Sequence, residues 1–381
     1  MNDHNGKTHL VVGDGITALA FIEASPLHRG DRLVVLGRNV SSLGRGVAYA
    51  KGAPDVPWRF AYLLNSPADD IDPAFAIWLD ARWDSIRDTM AGRAPNWLGA
   101  AQPLVEGGDI YGLNAPREFY GDFIEEKVNA SLAALRARGV EVRLVEDGAS
   151  AIAQQGPMIA VQTDRGETLI ADSVDIAPGG PSTLRIPGDD GPLSAPSLFG
   201  HETRIAEHIK AGAEIFCVGG NASMLDALRL CQSLVPEADL RFVACAPDGQ
   251  VPPALVPRLP RKMTEPKLTE GHATAESFLT EVRQAIEAAR AEGDETREIR
   301  AGFRAHFLNR GLHYYIPDPS QARLVPRTLR FWLRGGTRDT IIDMHRLIEA
   351  GKVKMLTGSV AGIEHGADGV DVFIEDAGHN T

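Results

Sequence analysis

Cysteine is scarce in this sequence: three among 381 residues, at Cys217, Cys231 and Cys245, an odd number whose spacing fits neither a C-x-x-C pair nor a zinc site. That excludes a disulfide framework and makes a reducing compartment the simpler setting. The opening stretch MNDHNGKTHLVVGDG lacks the basic and apolar regions of a signal peptide, and its apolar run Leu10 to Val12 is too short to cross a bilayer. A cytoplasmic protein without a membrane partner is expected. Positive charge is also short, with 39 Lys and Arg against 51 Asp and Glu, a net charge of -12. A surface that neutralises nucleic-acid phosphates needs clustered excess cations, so a nucleic-acid partner is not expected. No G-x-S-x-G elbow, H-E-x-x-H or Walker sequence is present, which weakens hydrolase, metalloprotease and nucleoside-triphosphatase readings. His201, His208, His272, His306, His313 and His345 are scattered without a paired acid at ligand spacing, so no metal site is predicted.

What is present is alternation of strand and helix. The run His9 to Val12 stops at Gly13, an apolar segment Ile16 to Ala24 reads as a helix, and Arg32 to Leu36 reads as a buried second strand. Together they make a βαβ unit of about the ~30 residues such a unit needs. The stretch from Gly37 to Asn114 is rich in Gly, Pro and Trp, and reads mainly as loops with a short helix near Ala74 to Met90. An amphipathic helix follows from about Arg117 to Arg138, then a strand at Val140 to Val145 that returns to the first sheet. Ala149 to Ala153, Met158 to Thr163 and Thr168 to Ala171 predict an antiparallel meander, and Ser173 to Ala177 a strand running into the cluster PGGPS.

A second βαβ pattern begins at Glu214 to Val218, with a helix over Ser223 to Leu234 and a strand over Asp239 to Ala244. Pro252 to Pro266 reads as Pro- and Arg-rich loop. Ala273 to Leu308 is strongly helical, and its charges are most simply a solvated face with helix-spaced ion pairs. A helix ended at Gly351 and β segments at Val353 to Leu356 and Val370 to Ile374 complete the chain. The predicted fold class is α/β: two Rossmann-like dinucleotide-binding units, with parallel sheets flanked by helices and an antiparallel β meander. The expected division is 1–180 for a first nucleotide unit, 181–340 for a second with a helical insertion, and 341–381 for a segment returning toward the first.

VVGDGITALAF sets Gly13, Gly15 and Ala18 in a G-x-G-x-x-A pattern directly after a strand and at the head of a helix. The first glycine permits the tight turn, the second lets backbone amides approach a pyrophosphate, and Ala18 lets helix and strand pack closely. The positive end of the helix dipole then meets the phosphates. Asp14 places a carboxylate inside this loop, where it repels a pyrophosphate unless it points away. The acid that usually binds ribose after the second strand is replaced by Gly37-Arg38. In the second unit Gly219 and Gly220 precede Asn221 and Ser223, residues that either cap the helix or donate to a phosphate. After its second strand no Arg stands ready for a 2′-phosphate, so a preference for NADP is not supported. RGVAYA (Arg45 to Ala50) and LLNSPADD (Leu63 to Asp70) read, on spacing alone, as surface turns.

Taken in order, VVGDGITALAF, RGVAYA followed by LLNSPA, PREFYGDFI (116–124), DIAPGGPS (175–182), IFCVGGNASMLDAL and IDMHRLIEAGKVKMLTGSVAGIE resemble the FAD/NAD(P)-binding flavoproteins. These are related to flavin-dependent N-hydroxylating monooxygenases and pyridine nucleotide-disulfide oxidoreductases. The resemblance implies that Gly13, Gly15 and Ala18 hold the FAD pyrophosphate. It also implies that the Arg45 loop, with Gly46, Ala48 and Tyr49, and the segment with Leu64, Asn65 and Pro67 lie along the flavin. Arg117 and Tyr120 would sit close to the cofactor pocket, Ala177 to Gly180, with Gly179, would form the crossing out of the first unit, and Gly219 to Ser223 would face NAD(P)H. The family usually closes with a further strand and a Gly-rich turn; here Thr381 follows soon after a β segment, which implies a shortened sequence or an incomplete FAD site. The expected activity is that of an FAD-dependent oxidoreductase, including monooxygenation, in which NAD(P)H reduces the flavin and a small organic molecule is the substrate. No residue stands out as its acid or base. The rival from another class is a catalytically silent nucleotide-binding or partner-binding protein on the same fold, favoured by Asp14, Gly37-Arg38 and the altered second glycine loop. A nicotinamide-only dehydrogenase is third, disfavoured by the long stretch before residue 115.

Overall fold

The computed structural model describes residues 6–180, 185–255, 263–333, 335–367 and 369–375. The first unit opens with β1 (Thr8–Val12), α1 (Ile16–Ala24) and β2 (Arg32–Gly37), as the periodicity predicts. Four helices follow: α2 (Ala68–Ile71), α3 (Pro73–Ala81), α4 (Trp83–Ala91) and α5 (Pro95–Glu106). The short helix expected near Ala74 to Met90 is present as α3 and α4, and the expectation of loops elsewhere is corrected at α2 and α5. Pro73 and Pro95 occupy first-turn positions, where a missing N–H costs nothing, and the Asp72 carboxylate caps α3 by accepting from the Ala74 N–H at 2.9 Å. Prolines read as breakers are helix starts.

The long helix α6 (Arg117–Ala137) leads to β3 (Glu141–Glu146), the meander β4 (Ala149–Gln155), β5 (Met158–Thr163) and β6 (Thr168–Ala171), and then β7 (Ser173–Ile176). The parallel sheet has the order β3-β2-β1-β7. Side chains alternate across it. Val11, Leu33 and Val35 point to a core with Ala18, Leu19 and Ile22 of α1 and Phe123, Val128 and Leu132 of α6. Leu10, Val12, Val34 and Leu36 point the other way, onto Val161, Leu169 and Ala171 of the meander. Helices thus cover one face and the meander the other.

The second unit comprises α7 (Glu202–Lys210), β8 (Ile215–Val218), α8 (Ala222–Leu234), β9 (Phe242–Ala246) and the short β10 (Ala254–Leu255). β9 starts later than expected because 237–239 form a 3-10 turn. The helical stretch divides into α9 (Ala275–Ala291) and α10 (Thr296–Asn309), followed by α11 (Pro319–Ala322) and α12 (Val325–Trp332). Gly293, at φ 91°, closes α9, and a reciprocal Glu295/Glu298 capping box opens α10. The charges of this stretch do form an exposed face, at Glu276, Arg283, Glu287 and Arg290, while Phe278, Val282, Ile286, Ile299 and Phe303 on the opposite side form, with Tyr315 and Ile316, a core of their own.

β11 (Gly336–Thr337) pairs with β10, and α13 (Arg338–Glu349) leads to β12 (Val353–Thr357). β12 lies parallel to β9 in the order β12-β9-β8, so this part of the expected return segment builds the second sheet. A strand not foreseen, β13 (Ser359–His365), forms a hairpin with β14 (Val370–Glu375). That hairpin rests on the connection between the units: the Ile363 N–H donates to the Pro187 carbonyl at 2.9 Å, and His365 Nε2 lies 2.8 Å from the Gly188 carbonyl. Residues 181–182 of the DIAPGGPS motif and 256–262 of the Pro- and Arg-rich loop lie outside the described residues. Among the described residues no helix is long and apolar enough to cross a membrane.

Candidate functional site

The junction of β1 and α1 is held open by glycines. Gly13 has φ 125°, and a Cβ there would run into the carbonyl oxygen of Ala177, the first residue beyond β7. Only glycine lets the two chains pass this closely. Gly15 stands at the N-cap of α1 with no side chain capping it among the described residues, and no acid lies in the first turn. The leading N–H groups of α1 are therefore directed outward with their partial positive charge uncompensated. Ala18 is fully buried beneath them, as the close packing of helix on strand requires.

The Asp14 carboxylate does not occupy this mouth. Its Oδ2 accepts the Asn39 N–H at 2.6 Å, beyond the end of β2. A side chain at Gly37 would begin 2.6 Å from the Asp14 Cβ, so the glycine found where an acid was expected is what makes room for Asp14. The Asp14 carbonyl in turn accepts the Gly44 N–H at 2.8 Å, which ties the RGVAYA loop to the glycine loop.

That loop lies over the mouth. Gly46 has φ 58°, and a Cβ on it would come 3.5 Å from the Gly15 Cα. The surface-turn reading of RGVAYA therefore falls short, because Arg45 is wholly enclosed. Its guanidinium pairs with Asp122 and, through Nε at 2.8 Å, with Glu125 of α6, and it donates to the Tyr49 carbonyl at 3.1 Å. Arg45 thus shapes the loop rather than offering a free cation. Ala48 and Tyr49 remain half-buried at its edge.

LLNSPA is laced to the start of α6. The Leu64 N–H donates to the Ala115 carbonyl at 2.9 Å, the Ala68 N–H to the Leu113 carbonyl at 3.0 Å, and the Asn114 amide to the Leu64 carbonyl at 2.9 Å. Leu64 and Pro67 are buried, while Asn65 is half-buried. Tyr120 packs edge-on against Tyr49 and Phe75, each with ring centroids 5.0 Å away, inside the aromatic core; burial raises its hydroxyl well above the ordinary tyrosine range. Arg117 is committed as well: Nε donates to the Leu63 carbonyl at 3.2 Å, and Nη2 lies 2.7 Å from Oδ2 of Asp226. Gly179, at φ 82°, is exposed with no described atom within 4 Å of a Cβ built on it.

At the second junction Gly219 has φ 108° and open space around it, its N–H donating to the Cys245 carbonyl at 2.8 Å. Gly220 is buried, while Asn221 and Ser223 are exposed at the head of α8. The Asn221 side chain does not cap that helix, so of the two roles open to it the capping one is not taken. Asp226, one turn further on, escaped notice in the sequence; its signal is an acid on a stripe otherwise made of Met224, Leu225, Leu228 and Cys231.

A comparison with curated proteins finds none that matches. Among solved structures, the chain is similar to a cadaverine monooxygenase of Erwinia amylovora bound to FAD, with TM-score 0.47 and 12% identity over 96% of this chain and 73% of that one. It is also similar to an ornithine N-hydroxylase of Kutzneria sp. 744, with TM-score 0.45 and 14% identity over 96% and 75%. An L-lysine 6-monooxygenase of Pseudomonas syringae gives TM-score 0.44 and 15% identity over 98% and 78%. A family model described as FAD-NAD(P)-binding matches residues 10–181. That span runs from β1 past β7 and takes in the glycine junction loop of the first unit, the RGVAYA and LLNSPA segments and α6. The likeness to that family is carried by residues 10–181, the N-terminal part of this chain.

Proposed function

We propose that the protein is an FAD-dependent oxidoreductase in which NAD(P)H, received by the second unit, reduces a flavin held by the first, for use on a small organic substrate. The observation that carries this reading is the mouth of α1: unpaired N–H groups between Gly15 and Gly46, free of the Asp14 carboxylate, at the entrance to an FAD-NAD(P)-binding domain. Gly15 and the first residues of α1 would present backbone N–H groups to the diphosphate, while Gly13 makes the turn with its own N–H donated to the Leu36 carbonyl at 2.8 Å. The Gly46, Ala48 and Tyr49 edge and Leu64, Asn65 and Pro67 would border the ring system, with Arg45 fixing the first of these segments from behind. Asn221 and Ser223 would meet the nicotinamide nucleotide. When bound, the flavin supplies the two-electron chemistry, and the protein supplies orientation and water exclusion.

FAD binding is assigned to 1–180 and the nicotinamide nucleotide to 181–340, with β12 carrying the second unit on into 341–381. A cytoplasmic location and a small-molecule partner belong to this proposal, in keeping with the acidic charge balance. The purified protein should be yellow, or become so with added FAD, and should bleach anaerobically with NADH or NADPH. A colourless protein that FAD cannot reconstitute would overturn the reading. Flavin that binds but is never reduced would select the silent nucleotide-binding protein instead.

A further inference from the structure

Arg117 begins α6 and gathers several parts of the molecule. Its own N–H donates to the Tyr62 carbonyl at 2.8 Å, and its Nε to the Leu63 carbonyl at 3.2 Å. Its Nη2 lies 2.7 Å from the Asp226 carboxylate, and its guanidinium carbon lies 5.2 Å from the centre of the Phe199 ring. Asp226 belongs to α8, one turn from Asn221, and is only 2% exposed. The pair therefore joins the segment bordering the proposed flavin site to the helix whose head is the proposed nicotinamide site.

Burial pushes the Asp226 carboxyl up to about 6, against the opposing pull of Arg117 and then of Arg229. Arg229 is itself held by the Thr337 hydroxyl at 3.2 Å. Around the pair the surfaces are apolar: Tyr62 and Phe199 meet edge to face at 5.4 Å, and Met224, Leu225 and Leu228 fill the same core. Apolar residues of similar volume would hold these surfaces together at least as well, since a buried ion pair commonly adds no net stability. What a charged, directional contact adds is a fixed register, because greasy surfaces can slide whereas a 2.7 Å charge-assisted bond cannot.

We propose that the Arg117–Asp226 pair is a positioning strut that sets α8 against the Leu63–Leu64 segment, so that a nicotinamide nucleotide at the head of α8 is held in one register relative to a flavin along that segment. Both are positioning residues that touch neither cofactor. The assignment rests on the proposed function for its catalytic meaning, but its structural content stands apart from it.

The test uses the full chain and three variants, Arg117→Met, Asp226→Leu and the double Arg117→Met/Asp226→Leu, the last removing both members of the pair while Arg229 keeps the Thr337 hydroxyl and the charges of Asp339 and Asp343. Amide hydrogen exchange of the protein without cofactor is followed over 62–68 and 222–230. In the double variant both segments should exchange at least about tenfold faster than in the wild type, with thermal midpoint and FAD affinity nearly unchanged. Reduction of bound flavin by saturating NAD(P)H should slow by about 10- to 100-fold, while photoreduction of the same flavin is unaffected. Wild-type exchange in both segments, or equal loss of photoreduction, overturns the strut. A wild-type protein that binds no FAD sinks the functional reading alone, since the exchange measurement still decides the strut.

Discussion

The Asp14 carboxylate accepts the Asn39 N–H at 2.6 Å, which turns a charge that threatened the nucleotide loop into a clamp on the end of β2. Asp14→Ala removes the acceptor and should lower stability by about 1 kcal/mol in urea unfolding, the usual worth of one partly exposed hydrogen bond. Asp14→Asn keeps an acceptor oxygen without the charge. Its FAD dissociation constant should stay within about threefold of the wild type, well under the ~1.4 kcal/mol that a tenfold change represents. A much tighter constant would mean that the carboxylate faces the diphosphate after all.

Gly13→Ala faces two obstacles together, a φ of 125° and the Ala177 carbonyl in the space its methyl needs. Backbone strain of this kind costs roughly 1–3 kcal/mol before the clash is added. The variant should lose FAD binding and unfold at markedly lower urea, whereas Gly179→Ala, with strain but open space, should lose much less.

Tyr62 presents the reverse case. Its hydroxyl is buried with no hydrogen-bond partner among the described residues. An unsatisfied buried hydroxyl costs about 1–3 kcal/mol, so Tyr62→Phe should leave stability unchanged or raise it by up to about 1 kcal/mol. A clear loss of stability in a urea melt would reveal a hydrogen bond that the geometry does not show.

Acid titration separates Asp226 from other carboxylates. Its pKa rises from an ordinary 3.8 to about 6, so the folded protein takes up its proton more readily than the unfolded chain does. The associated stability is complete below about pH 3.8 and is lost as the pH rises through about 6. Relative to Asp226→Asn, the wild type should therefore weaken by something on the order of 2 kcal/mol between pH 4 and pH 7. The groups facing this carboxylate, Arg117, Arg229 and the Tyr62 ring, are unchanged in that comparison. A difference between the two proteins that does not vary with pH would show that Asp226 is charged throughout.

The parts of the fold legible in the sequence are those whose signal is local. The β1-α1-β2 unit, α6 and the meander follow from periods of two and 3.6 and from glycines at turns. In the α2–α5 region only a short helix near Ala74 to Met90 is legible, because the helices are short and α3 and α5 begin at prolines, and α9 and α10 merge because the break at Gly293 lies within one charged run. The candidate site divides in the same way. Gly13, Gly15 and Ala18 announce themselves by spacing, whereas the burial of Arg45 depends on Asp122 and Glu125, nearly eighty residues on, and that of Asp226 on a partner 109 residues before it. No sequence period encodes such pairings.

The order β3-β2-β1-β7 has a consequence for how the chain is made. β1 leaves the ribosome early, but the neighbour that shields its second edge is not synthesised until residues 173–176. In the interval the growing chain carries an open parallel edge, a template for wrong pairing, and closure must await a contact of long sequence separation. Slow closure of the first sheet is the corollary, and refolding at high concentration should give correspondingly poorer yields than refolding at low concentration.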